Sequence, residues 1–274
     1  MFDFAAAQRL LNDAFDSIIG NVLAALRISL WPFVAMLIAI AILLSDLLQA
    51  IHQASISGVP IDFQGGAGRG FLVVGVVLFT MYLVTVKWHR FVLLPADQGG
   101  RDVLPLAVTL VYALVSILVL LCVAIVVVIV MFIPMVAFTD GRVTVGLGAF
   151  QDAYARGLAF LVFVFFVNWL FLWLVLSVSP ILVSIAIRAE PRGFEALRHS
   201  DGRGAELRAL ALIMTTAMLA WDFLGIGLAG LPGGAQLALV LVINWIAFMM
   251  SISILTTFYK LAPEMQGNAS ADLS

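Results

Sequence analysis

Between Asp102 and Asp140 the chain carries no charged residue, and between Arg156 and Arg188 it again carries none. A charge near the middle of a lipid-embedded helix costs about 2.5–3.5 kcal/mol on insertion scales, so long charge-free stretches mark helices surrounded by hydrocarbon. A helix needs about 20 apolar residues to cross the roughly 30 Å core. Six stretches meet that length: 28–50, 70–93, 107–133, 158–187, 208–230 and 236–260. Composition agrees, because 64% of the residues are apolar and only 11% are charged, against about 25% charged in soluble domains. So few charges cannot coat a water-facing surface, and lipid must be the solvent for most of the outside. The expected fold is all-α: a polytopic integral membrane helical bundle forming a single domain over 1–274, with an N-terminal amphipathic interfacial helix before the six spans. The third and fourth spans exceed the core thickness, so they must tilt, protrude or break, and Pro134 and Ser179-Pro180 are the predicted break points.

Orientation follows from the basic residues. Eleven of the 14 Lys and Arg residues fall in the N-terminal segment, the second and fourth loops and the tail; only Arg69, Arg142 and Arg156 fall on the other side. Basic residues stay cytoplasmic, so both termini are expected there. Residues 4–26 form a helix of another kind. Leu10, Leu11, Phe15, Ile18, Ile19, Val22, Leu23 and Leu26 share one side of a helical wheel, and Arg9, Asn12, Asp13, Asp16 and Asn21 share the other, as in a helix lying in the inner interface. Met1–Arg27 lacks the layout of a secretory signal, so the first span is expected to act as an uncleaved anchor.

The even-numbered spans end alike. Lys87-Trp88-His89-Arg90 precedes Pro95, Arg188 precedes Pro191, and Lys260 precedes Pro263. Asn168-Trp169 and Asn244-Trp245 also match in spans four and six. This pattern suggests three helical hairpins, although membrane interfaces select basic residues and tryptophan without common ancestry. The segment Ile187-Arg188-Ala189-Glu190-Pro191-Arg192-Gly193-Phe194-Glu195-Ala196-Leu197-Arg198-His199-Ser200, followed by Arg203 and Arg208, resembles the stretch after the fourth span in the membrane domain attached to some glycerophosphodiester phosphodiesterases. YciC-like six-pass inner-membrane proteins are similar, and Leu30-Trp31-Pro32 resembles that family's entry to span one. The resemblance implies a multi-pass protein of a bacterial inner membrane. It departs where Asp201-Gly202-Arg203-Gly204 replaces the family's polar-aromatic run, and with no phosphodiesterase domain the catalytic activity does not carry over.

Few residues offer chemistry. Asp222, in span five, reads either as an intramembrane proton or cation carrier or as a solvated carboxylate at the outer interface. Asn168, Asn244, Ser177 and Ser179 are the other intramembrane polar candidates; interhelical hydrogen bonding is the commoner use of such asparagines. Lys87, Trp88, His89 and Arg90, assisted by Arg198 and Arg203, are candidates for a lipid phosphate, and membrane anchoring accounts for the same residues. No nucleophile elbow, phosphate loop or dinucleotide glycine set occurs, so no catalytic residue and no cofactor is expected. The lone Cys122 and three scattered histidines do not form a metal-binding spacing. Net charge is −2, which argues against nucleic acid as a partner. The expected role is a non-enzymatic accessory, scaffold or lipid-organising protein whose partners are membrane lipids and other membrane proteins; the alternative is a transporter or channel using Asp222.

Overall fold

The computed structural model describes residues 2–43, 45, 66–95, 106–138, 158–187, 203–228 and 233–271. They form seven helices: α1 Phe4–Ile19, α2 Val22–Leu43, α3 Gly66–Leu93, α4 Leu106–Phe138, α5 Leu158–Ala186, α6 Gly204–Leu228 and α7 Gly233–Ala271. No strand occurs among the described residues. Six helices are long and apolar enough to cross a membrane, over Val22–Leu43, Gly70–Leu93, Leu106–Val130, Val162–Ala186, Gly204–Trp221 and Gly234–Leu261.

Helix α1 opens on Asp3, whose side chain accepts the Ala6 N–H at 3.0 Å, satisfying one of the orphan donors of the first turn. It ends seven residues before the expected 26, and α2 begins at Val22 rather than 28. The reason lies in Gly20 and Asn21. Gly20 donates its N–H to Asp16 O at 2.8 Å, and a Cβ there would sit 3.0 Å from that same oxygen. The Asn21 side-chain amide donates to Ser17 O at 2.9 Å, so local bonds close one helix and the next starts at once.

Three prolines do not end their helices, whereas α3 stops at Leu93, just before Pro95, and Pro191 lies outside the described residues. α4 runs past Pro134 to Phe138, α5 contains Pro180 and α7 continues through Pro263. At Pro180 the remedy is visible. Proline has no N–H for the carbonyl four residues back, and the Ser179 hydroxyl donates to that carbonyl, Leu176 O, at 2.8 Å.

α5 packs along α4 and α6, α2 along α3, and α3 against α4. α7 lies against α3 and α5, and α1 crosses α7 and α6. The first two expected hairpins, α2–α3 and α4–α5, are closely packed pairs, whereas α6 leans mainly on α5 and α1.

Burial is lopsided. The buried residues fall mostly in the first halves of α2, α4 and α6 and in the second halves of α3, α5 and α7. Because successive spans run in alternate directions, those halves share the end of the bundle that carries both α1 and the last turns of α7. In lipid, helices gain little from hiding apolar surface from each other, and close van der Waals fit and interhelical hydrogen bonds hold them together. Both concentrate at this end. Helix α1 contributes Ala7, Leu10, Ala14 and Ile18, spaced by three or four residues, all buried. Ala7, Leu10 and Ala14 pack with Leu176 of α5, Leu207 and Leu210 of α6 and Ile254 and Phe258 of α7. The apolar side read from the sequence therefore divides in two. Leu10 and Ile18 join the alanines inside, while Phe15, Ile19, Leu23 and Leu26 stay exposed.

Candidate functional site

The last turns of α3 carry Lys87-Trp88-His89-Arg90. Trp88 and His89 are fully buried, Arg90 is nearly so, and Lys87 is half-buried. Two sets of neighbours enclose them. Trp88 packs with Ile18, Ala25, Met249 and Ile252, and on the other side of α3 Val86 packs with Tyr112, Leu182 and Ala186. Arg90 donates to Ala186 O at 3.5 Å.

His89 Nδ1 lies 2.7 Å from Thr256 Oγ1, and the Thr256 hydroxyl donates to Ile252 O at 2.7 Å. With that proton committed, the threonine oxygen accepts from His89 Nδ1–H. The neutral ring then carries its lone pair on Nε2, which is buried without a partner. The Tyr112 ring sits between His89 and Tyr82, its centroid 6.2 Å from the first and 5.8 Å from the second. Thr109, Ser116 and Ser253 also bury hydroxyls without protein partners, so α3, α4 and α7 each bring buried polar groups to the packed half.

Arg203 anchors a second group. Its guanidinium meets the Glu206 carboxylate side-on, Nε to Oε2 and Nη2 to Oε1, both at 2.6 Å. Its Nη1 donates to Phe258 O at 3.2 Å, and its Cζ stands 4.2 Å from the centre of the Phe258 ring. Fork-to-fork pairing and stacking on an aromatic face are the geometry that distinguishes arginine from lysine. Glu206 occupies the first turn of α6, where the helix dipole favours a negative charge. Asp3 N–H donates to Ala205 O at 3.2 Å beside it. The starts of α1 and α6 are thereby tied to each other and to the second half of α7.

Between the end of α1, the end of α3 and the late turns of α7 an open cleft of about 520 Å³ remains. Asp13 and Asp16 line it from α1, and Lys260 lines it from α7. Phe91, Val92 and Leu261 supply apolar wall, and Thr257, Ser17 and Asn21 add polar groups.

The remaining predicted residues are dispersed. Asn168 and Asn244 are exposed, and the Asn244 amide donates within its own helix to Val240 O at 2.8 Å. In both Asn-Trp pairs the tryptophan bridges helices instead. Trp169 Nε1 donates to Arg208 O at 3.1 Å and Trp245 Nε1 to Ser29 Oγ at 2.9 Å. Ser177 and Ser179 donate to carbonyls of their own helix, Trp173 O and Leu176 O. Asp222 lies on α6, but its side chain is outside the described residues, as are Arg198 and the whole 188–202 segment that carries the family resemblance. Thr256, Glu206 and the charged cleft were not anticipated. Glu206 had a signal, an acid three residues after Arg203 in a first helical turn; Thr256 had none, since its partner is 167 residues away. Compared with protein-family models, with curated proteins and with solved structures, the chain has no match.

Proposed function

We propose that this chain is a non-enzymatic multi-pass protein of a bacterial inner membrane, with both termini in the cytoplasm, acting as an accessory, scaffold or lipid-organising factor. The observation that carries this reading is where the polar chemistry goes. The Arg203–Glu206–Phe258 group, the His89–Thr256 pair and the Trp245–Ser29 bond all tie helices together in one half of the bundle. Asp13, Asp16 and Lys260 face an open cleft at the rim. A protein built this way presents a rigid, polar cytoplasmic face on an apolar body, which suits contact with headgroups or a partner protein. Exposed Phe15 and Ile19, beside exposed Asp13 and Asp16, support α1 as an interfacial helix. The distribution of basic residues supports the orientation, and the resemblance of residues 187–200 to the six-pass inner-membrane family supports the location.

Reconstituted protein tests the reading. Liposomes carrying it should show no proton or solute flux under any imposed gradient. Gated flux that disappears in Asp222→Asn would make the chain a transporter and end the accessory role. Topology has its own measurement: a reporter fused to the C-terminus should be active only as a cytoplasmic fusion. Cys122, exposed on α4, should resist a membrane-impermeant maleimide in intact vesicles and react once detergent is added.

A further inference from the structure

The cleft between α1, α3 and α7 has an arrangement of charge that selects among ligands. Helix α1 brings two carboxylates to it, Asp13 and Asp16, and α7 brings one ammonium, Lys260. None of the three makes an ion pair with a described residue. Two helices also end here. Asp16 and Ser17 belong to the last turn of α1, and Phe91 and Val92 belong to the last turn of α3. Helix C-termini carry partial negative charge, so both favour a cation in the cleft. Thr257 supplies an independent sign of a ligand. It is only 8% exposed and lines the cleft, and its hydroxyl bonds to no described residue, whereas its neighbour Thr256 bonds back to Ile252 O.

These features exclude simple ligands. A bare divalent cation would meet Lys260, and an anionic headgroup would meet two carboxylates. A ligand carrying both an ammonium and an anion satisfies the two carboxylates and the lysine together. The volume, about 520 Å³, lies in the range usual for small-molecule sites. Primary ammonium is favoured over a quaternary one, because its three N–H donors can serve the carboxylates, which only accept. The surroundings favour a lipid as the source. Phe91, Val92 and Leu261 continue the cleft as apolar wall, and Asn21 at its edge leads directly into exposed Val22, Leu23 and Leu26, where acyl chains would lie.

We infer that this cleft binds the headgroup of an amine-bearing phospholipid, with the ammonium on Asp13 and Asp16 and the phosphate on Lys260 and the Thr257 hydroxyl. The inference rests on the lipid-organising reading above and names the lipid class.

Native mass spectrometry of the full chain released from nanodiscs of equal phosphatidylethanolamine and phosphatidylglycerol tests it. Wild type should retain the ethanolamine lipid roughly fivefold over the glycerol lipid, the scale of one or two partly exposed ion pairs. Asp13→Asn with Asp16→Asn should abolish that preference, and Thr257→Val should weaken it. Arg9→Gln, on exposed α1 surface outside the cleft, should leave it unchanged. Both aspartates are exposed, so their substitution leaves the packed ridge of α1 intact. A wild-type lipid ratio in the double variant would overturn the inference, and so would equal retention by wild type of phosphatidylcholine put in place of the ethanolamine lipid. O-phosphoethanolamine bound in lipid-free detergent, lost in the double variant and unaccompanied by any lipid preference, would overturn the lipid assignment in favour of a soluble zwitterion. Absence of lipid preference leaves the accessory reading standing, since that reading falls only on gated flux through Asp222.

Discussion

The two halves of this bundle are built on different principles. In the half that carries α1 and the last turns of α7, side chains interlock: Trp88, His89, Leu207, Leu210, Met249 and Phe258 are all at 2% exposure or less. In the other half, Leu37 and Ile42 of α2, Phe71 and Leu72 of α3, Leu121 and Ile125 of α4 and Leu241 and Val242 of α7 are exposed. The residue types hardly differ in hydrophobicity; the partners do. Where helices meet closely, small residues such as Ala7, Ala14, Ala25 and Ala186 let backbones approach and polar groups find mates across the gap. Where they do not meet, leucine, isoleucine and valine are left for lipid. The lesson is that hydropathy reports on the solvent of a helix, whereas the placement of alanine, serine, threonine and histidine reports on its neighbours.

Substitutions can break or sharpen this contrast. The largest effect is expected from Trp88→Ala, which empties a fully buried site and should cost about 3–5 kcal/mol, read as a lowered midpoint in thermal unfolding in detergent. Phe71→Ala, at 79% exposure, deletes almost as large a ring and should leave the midpoint nearly unchanged; equal losses at the two sites would erase the distinction between the halves. Next comes Glu206→Ala. It strands the Arg203 guanidinium in a largely buried position, with side-chain exposure of 9% and 7% for the two partners, and should cost about 3 kcal/mol. The double variant with Arg203→Ala should be more stable than Glu206→Ala alone, and a double-mutant cycle measures the difference. Ser29→Ala removes the acceptor of Trp245 Nε1 and should cost about 0.6 kcal/mol, the average for interhelical hydrogen bonds in membranes. Leu121→Ala, on the exposed side of α4, should fall within about 0.5 kcal/mol of wild type, and a larger loss would point to a partner on that surface.

The six long helices were legible in the sequence because a charge-free apolar run of spanning length has one economical explanation. Their joints were less so. The α1–α2 break depends on the Gly20 N–H and the Asn21 amide closing the last turn of α1, a local bond pattern that the apolar periodicity running on to Leu26 conceals. Pro180 looked like a stop because proline forfeits a hydrogen bond, and the preceding serine restores it. The site was less readable still. Lys87-Trp88-His89-Arg90 has the composition of an interfacial anchor, and nothing in those four residues says that α1, α4, α5 and α7 cover three of them. Burial of that kind is set by residues far away in the chain, such as Ile18 and Thr256. The asparagines of the two Asn-Trp pairs drew attention as polar groups at depth, yet the indole N–H, the longer-reaching donor, crosses to the next helix.

The docking of α1 carries a consequence for assembly. Phe4–Ile19 is synthesised before α5, α6 and α7, whose surfaces bury Ala7, Leu10 and Ala14, and the Asp3 N–H waits for the carbonyl of Ala205. Helix α1 therefore reaches its final position only after the three later helices that seat it have been made. Until then its alanine ridge is uncovered, and seating it couples the folding of α1 to that of helices far along the chain.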